Sequence, residues 1–306
     1  MSDFNVTSLT DYTKENLDLM LGSLYFSKSS TEYFYPMVGV KYKSRFHDFT
    51  NTLEPVAYSC GWTGTTSTVF GEREIEVATL KNEATYCVND LKTKYLSELM
   101  AKGVQEEEFP YEELILSDLR TQIPIINENI LWNGSKQGSE GNYLDLADGI
   151  FTILTGETAV VTGATGTTTI TNIQEQIDSI IDLLPDVLMD KPIVLFTSLT
   201  NVTLYKRYLF RANLFHVNAN GPGLSENTVA VPYYSNVVVV GVQAFNGADK
   251  WVATIKNNLV MGMDNPGEDQ DSDVFFDRKT REINVFNKWR IGSQILIPAY
   301  CATVNV

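Results

Sequence analysis

Residues 111 to 132, YEELILSDLRTQIPIINENILW, form the stretch whose reading decides the fold. Leu116, Leu119, Ile123, Ile126 and Ile130 recur at three- and four-residue steps and lay an apolar stripe along one face of a helix. Glu112 and Glu113 fall in its first turn, where a helix N-terminus favours negative charge. Asn133-Gly134-Ser135 supplies the stop, with glycine taking up the left-handed conformation that ends a helix. Pro124 lies inside the run, removes one backbone hydrogen bond and predicts a kink there. At about 1.5 Å per residue the helix is a rod roughly 30 Å long.

The chain ahead of this rod is poor in compact-core signals. A helix candidate opens residues 1–30, with Ser8 and Asp11 in a capping-box-like start and Leu17, Met20, Leu21 and Leu24 on one face. Tyr33-Phe34-Tyr35-Pro36-Met37-Val38 follows as extended chain, since Pro36 disfavours helix at Tyr35. Lys41, Lys43 and Arg45 form a small basic group interleaved with Tyr42 and Phe46. Two readings of it stand: phosphate contact, or pairing with carboxylates of a neighbouring surface.

From Thr52 to about Thr79 the sequence reads as a long hairpin arm. Leu53, Val56, Ala57 and Tyr58 lead up, a Gly/Thr/Ser-rich tip spans 61–68, and Glu72 to Thr79 leads back. Glu74-Ile75-Glu76-Val77-Ala78-Thr79-Leu80 alternates polar and apolar, so one face alone is meant for burial. Such a long excursion is uncommon in a self-contained domain. Trp62 and Phe70 near the tip either fold back on their own domain or act as anchors docking on another subunit. A short strand over 84–88 and a short helix marked by Leu91, Tyr95 and Leu99 come next. Glu106-Glu107-Glu108 reads as a solvated charge run.

Behind the rod lies a normal α/β body. Tyr143 to Ile150 leads into it, and Val160 to Thr169 reads as a Gly/Thr hairpin or loop. Thr171 caps a helix with Gln174 in the capping-box position, and Ile173, Ile177, Ile180, Ile181 and Leu184 share its face. Pro192 to Phe196 predicts a buried strand, and Ser198 or Thr200 starts a helix through Val202, Tyr205 and Leu209. Val237 to Val240 predicts a central strand buried on both faces; Trp251 to Val260, Glu282 to Phe286 and Gln294 to Val304 supply more.

Lys and Arg total 23 against 38 Asp and Glu, a net charge of -15. That balance repels phosphate backbones and argues against a dedicated nucleic-acid binder. Cys60, Cys87 and Cys301 are far apart and in no CxxC arrangement, as expected of thiols in a reducing cytoplasm. No apolar run is long enough for a transmembrane helix, and Met1-Ser2-Asp3-Phe4 opens no secretory signal. His47 and His216 cannot build a histidine-rich metal centre, and no GxSxG, HExxH or P-loop lysine occurs. Asp269, Asp271 and Asp273 have the alternate spacing of oxygen-liganded Ca²⁺ sites. Val274 stands where an EF-hand loop needs glycine, and Thr280 where it needs glutamate, so a solvated acidic turn is the preferred reading. No pair of carboxylates is selected for catalysis, and no cofactor is expected.

The order of these segments resembles that of the major capsid proteins of tailed bacteriophages, which have the Hong Kong 97-like fold. The resemblance covers most of the chain and rests on joint order: an arm, an extended loop, Glu74-Ile75-Glu76-Val77-Ala78, the 111–132 helix as the family's spine helix, and Leu146-Ala147-Asp148-Gly149-Ile150. Lys191 to Ser198 is similar to an axial-domain strand. Asn258 to Asp264, the acidic turn and Ile291 to Pro298 make the most family-like part. The resemblance implies an α+β chain with an N-terminal arm (1–48), an extended hairpin loop (49–80), a peripheral domain (81–150 and 256–290) and an axial domain (151–255 and 291–306).

It also implies function: self-assembly into pentamers and hexamers of an icosahedral head that encloses double-stranded DNA, built in a host bacterial cytoplasm. Portal and separate scaffold proteins are implied partners, the scaffold because the chain begins almost at the arm; decoration proteins are a further possibility. Trp62, Phe70, Tyr33, Phe34, Tyr35, Lys41, Lys43 and Arg45 are the expected intersubunit contacts. No residue matches the Lys–Asn cross-link of some relatives. Rival expectations are an encapsulin-like nanocompartment shell, a tail-tube or adhesion protein, and a carboxylate-dependent enzyme.

Overall fold

The computed structural model describes residues 30–52, 55–58, 60–61, 67–87, 111–137, 141–163, 166–212, 227–264, 272–277, 279–280 and 282–306; within it, residues 48–52, 67–70, 111–120 and 272–276 are described by backbone alone. The helix candidate before residue 30, the one over 91–99 and the 106–108 charge run lie outside the described residues.

A single 14-residue strand, β12 (Glu282–Ile295), organises a five-stranded sheet, named peripheral after the expected domain that supplies most of it. One edge of it pairs antiparallel with β4 (Ala78–Cys87), from Glu282 opposite Cys87 to Ile291 opposite Ala78. Its other edge takes β11 (Ser272–Asp277) and then β10 (Leu259–Met263), and β1 (Tyr35–Met37) adds parallel to β10. The second sheet, which lies within the expected axial domain and takes its name, is six-stranded. It runs β5 (Val161–Gly163), β13 (Ala302–Val304), β9 (Trp251–Ile255), β6 (Ile193–Ser198), β8 (Val237–Val242), β7 (Thr228–Ala230). Strand β6 is buried throughout, and its residues divide by period two between two cores. Val194 and Phe196 enter the core shared with the peripheral sheet; Ile193 and Leu195 enter a second one.

Helix α1 (Tyr111–Asn133) is the expected rod, with Pro124 inside it. Ile123 and Ile130 of the stripe are buried, and Leu131 and Trp132 bury too. Trp132, wholly inaccessible, packs against the rings of Phe34, Phe151, Phe196 and Phe245 at centroid distances of 4.9–5.8 Å. The last turn of the rod therefore joins both sheets. Gly134 stands at the helix end for a reason other than the expected one: its φ is not left-handed, but the backbone of Ala147 presses on the space a Cβ needs. Gly149 meets it reciprocally, donating its N–H to the Gly134 carbonyl at 2.8 Å. Helix α2 (Ile150–Gly156) starts directly from that crossing.

Helices α3 (Ile173–Ile181) and α4 (Leu199–Arg211) cover the other face of the axial sheet. The expected apolar face of α3 is buried from Ile173 through Leu184, but its cap is Asn172, whose side chain turns back to the Thr169 amide at 2.7 Å. Ser198 caps α4 as expected, accepting from the Asn201 N–H.

Four expectations need correction. The stretch 251–260 is two strands in different sheets, broken where Asn257 takes a left-handed φ of 67°. Val237–Val240 belongs to β8, the fifth of six strands and so off centre, with β9 and β6 the middle pair. The domain division at 290/291 falls inside β12, which runs unbroken, and residues 35–37 of the arm are a strand of the peripheral sheet. Finally, the rising leg of the hairpin starts earlier than expected. It is β2 (Lys43–Thr52), pairing with β3 (Ser67–Glu76) from Lys43 opposite Glu76 to Thr52 opposite Ser67.

Candidate assembly surface

The hairpin β2–β3 is a ribbon whose two strands pair with each other and join neither larger sheet. Its root, by contrast, is deeply fixed. Ile75 and Val77 form a small core with Val40 and Val260, flanked by Met37, Phe46 and Leu296. Val77 separates β3 from β4 and donates its N–H to the Tyr42 carbonyl at 2.9 Å. Burying two such side chains contributes about 1.5–3 kcal/mol each, more than any single exposed ion pair nearby.

Charge then sets direction. Register places Lys43 opposite Glu76 and Arg45 opposite Glu74, so cross-strand pairs alternate up the ribbon. Lys43 Nζ lies 2.7 Å from Glu74 and 3.5 Å from Glu76; Arg45 lies 2.9 Å from Glu72 and 3.3 Å from Glu74. Lys136, just past α1, reaches Glu76 at 2.5 Å. Arg73 of β3 pairs with Glu157 at the end of α2, and Gln294 donates to the Glu74 carbonyl at 2.7 Å. The hydrogen bond from Lys43 holds the Glu74 carboxyl below its ordinary pKa, and that from Lys136 does the same for Glu76, in each case against partial desolvation. The Lys43 ammonium is correspondingly raised, first by its bond to Glu74.

Further out, Val56 and Tyr58 are exposed, Tyr58 to 95%, and Cys60 is an exposed thiol. The side chains of Trp62 and Phe70 lie outside the described residues. Of the other expected contacts, Phe34 is corrected: it is 3% exposed and sits edge-on to Trp132, inside its own subunit. Tyr33 is half-buried against Phe196. Tyr35 and Lys41 are exposed. Lys43 and Arg45 pair with carboxylates of their own ribbon, where a neighbouring surface was expected; the facing Glu72-x-Glu74-x-Glu76 was the available signal.

Sequence reasoning missed the seat beneath the root. Gly262 and Gly292 lie under it, where a Cβ on Gly262 meets Ile75 and Val77 side chains and one on Gly292 meets the Glu76 backbone. The arm has its own anchor, since the buried Ser30 hydroxyl donates to the buried Glu128 of α1. For the acidic turn, Asp269 and Asp271 lie outside the described residues and Asp273 is described by backbone alone. Among the described residues no His, Cys, Asp or Glu cluster fits a metal ion, and no helix is long and apolar enough to cross a membrane.

No protein family matches the sequence, and neither does any curated protein. Solved structures do match. The satellite phage P4 procapsid is similar over 94% of this chain and 97% of its own, at 12% identity and a TM-score of 0.60. A virus-like particle from Pyrococcus furiosus is similar over 96% and 100%, at 10% identity and a TM-score of 0.54. The SrpI encapsulin complex of Synechococcus elongatus PCC 7942 is similar over 90% and 85%, at 12% identity and a TM-score of 0.51. The fold is thus the Hong Kong 97-like fold of tailed-phage capsid proteins, as the order of segments implied.

Proposed function

We propose that this chain is the major shell subunit of a tailed-bacteriophage head, assembling as pentamers and hexamers into a closed icosahedral container for double-stranded DNA. The observation that carries the proposal is the hairpin: a ribbon with a rigid root, no place in its own sheets, and exposed apolar residues beyond its ladder. Holding such a ribbon in one conformation costs roughly 1–2 kcal/mol per residue, which contacts on a neighbouring copy offset. The likeness to assembled particles over nearly the whole chain supports the same reading. A net charge of -15 suits a wall that encloses DNA without gripping it. Scaffold and portal proteins would be the assembly partners, the host cytoplasm the place of assembly, and the role structural with no catalytic step.

The likeness to an encapsulin supports a second reading, a nanocompartment around a protein cargo. Negative-stain microscopy of the expressed protein, with nuclease-protected nucleic acid measured on the purified particles, separates the two. DNA-filled heads made with neighbouring gene products support the first. Small DNA-free shells with protein cargo support the second, and a stable monomer or open tubes defeat both.

A further inference from the structure

The helical layer over the axial sheet is electrically split. Residues 172–190, which hold α3 and the turn after it, carry Glu175, Asp178, Asp182, Asp186 and Asp190 and no Lys or Arg. Helix α4 carries Lys206, Arg207 and Arg211 and no Asp or Glu, an island of positive charge in a strongly acidic protein. The two helices lie side by side, joined where the Tyr205 hydroxyl donates to Gln174. Helix α3 sits toward β13 and α4 over β6, β8 and β7, so the charge changes sign across the sheet.

Each charged flank also carries one large exposed apolar side chain. Phe210 is 72% exposed beside Arg207 and Arg211, bordering a shallow depression of about 300 Å³. Val187 is 70% exposed between Asp186 and Asp190. Among the described residues none of Arg207, Arg211, Asp186 and Asp190 forms an ion pair within the chain. A two-fold contact centred on either flank would oppose like charges. A head-to-tail contact opposes unlike ones, and repetition of such a contact closes a ring.

We infer that a second copy of this chain docks here: Arg207, Phe210 and Arg211 of one subunit seat against Asp186, Val187 and Asp190 of the next around a ring. The inference rests on the shell reading and names the side chains that hold a capsomer together at its axial domains.

Charge reversal in the full-length chain tests it. Arg207→Glu with Arg211→Glu, and separately Asp186→Lys with Asp190→Lys, each lower particle yield by tenfold or more, while the unassembled subunit keeps its circular dichroism and melting temperature. Combining all four substitutions restores yield to within about twofold of the unmodified chain. Equal particle yield from the reversed chains, or no rescue by the combination, overturns the pairing. So does an α4 reversal that lowers nucleic-acid content at unchanged yield, since the basic flank then faces a polyanion. Absence of particles from the unmodified chain defeats the shell reading and the pairing with it; particles from every variant defeat the pairing alone.

Discussion

Gly262 of β10 and Gly292 of β12 lie directly opposite each other in antiparallel register, and the root of the hairpin rests on the gap their missing side chains leave. At Gly262 the obstacles to a Cβ are the tips of Ile75 and Val77, 2.8 and 2.9 Å away, which can turn aside. At Gly292 the obstacle is the carbonyl of Glu76, which belongs to the strand itself. Gly292→Ala therefore costs more than Gly262→Ala, about 1–3 kcal/mol as expected of overpacking. Thermal melting of the two variants checks the order; a Gly292→Ala protein as stable as the unmodified chain removes the seat.

Trimming the ribbon separates folding from assembly. Excising 51–68 and joining Thr50 to Val69, opposite each other in the ladder, through an Asn-Gly turn keeps the core residues Ile75 and Val77 and the Arg73–Glu157 pair. The variant is expected to fold with the melting temperature of the unmodified subunit and to yield no closed particles. Gel filtration and microscopy read the outcome, and intact shells from the trimmed chain contradict the proposed role of the hairpin.

Trp132 is the largest wholly buried side chain at the junction of α1 with both sheets. Trp132→Ala removes four ring contacts and opens a cavity, with an expected loss of about 3–5 kcal/mol. Urea denaturation measures it, with Trp132→Phe expected to lose less.

Asp249 gives the axial sheet an acid-sensitive point. Burial alone raises its carboxyl pKa, but donors from the Thr168 hydroxyl and amide, Asn201 and Trp251 outweigh this and hold it below the ordinary 3.8. A depressed folded value means the stabilisation is complete above the unfolded pKa and is lost as pH falls through the folded one. Asp249→Asn should thus be less stable at pH 7, with the gap to the unmodified chain narrowing below about pH 4. Denaturation curves at pH 7 and 3 decide; a gap that widens in acid refutes it.

Burial raises the Cys301 thiol to about 11, whereas Cys60 is exposed. A thiol reagent at pH 8 should label Cys60 in seconds to minutes and reach Cys301 at the rate of unfolding. Peptide mapping of a labelling time course checks this.

Helix α1 is legible in the sequence because its stripe, its acidic first turn and its glycine stop agree with one another. Strand β6 is equally plain, since a short apolar run after proline has few other uses. The broken strand at Asn257 hides because a left-handed asparagine leaves no hydrophobic signature: the apolar pattern continues while the chain changes sheets. Phe34 is misread for a related reason. An aromatic cluster on extended chain looks the same whether a neighbouring copy or the subunit's own Trp132 receives it, and that partner lies 98 residues away. The seat of Gly262 and Gly292 depends on a pairing across 30 residues, so neither glycine announces its purpose locally.

The place of β13 has a consequence for synthesis. Strand β5, made near residue 161, pairs with β13 and with no other described strand, and β13 begins at residue 302. A nascent polypeptide must leave β5 without its partner strand until some 140 further residues have been translated. A product broken off by a stalled ribosome lacks β13, so in an incomplete chain β5 is left without the strand that holds it in its sheet.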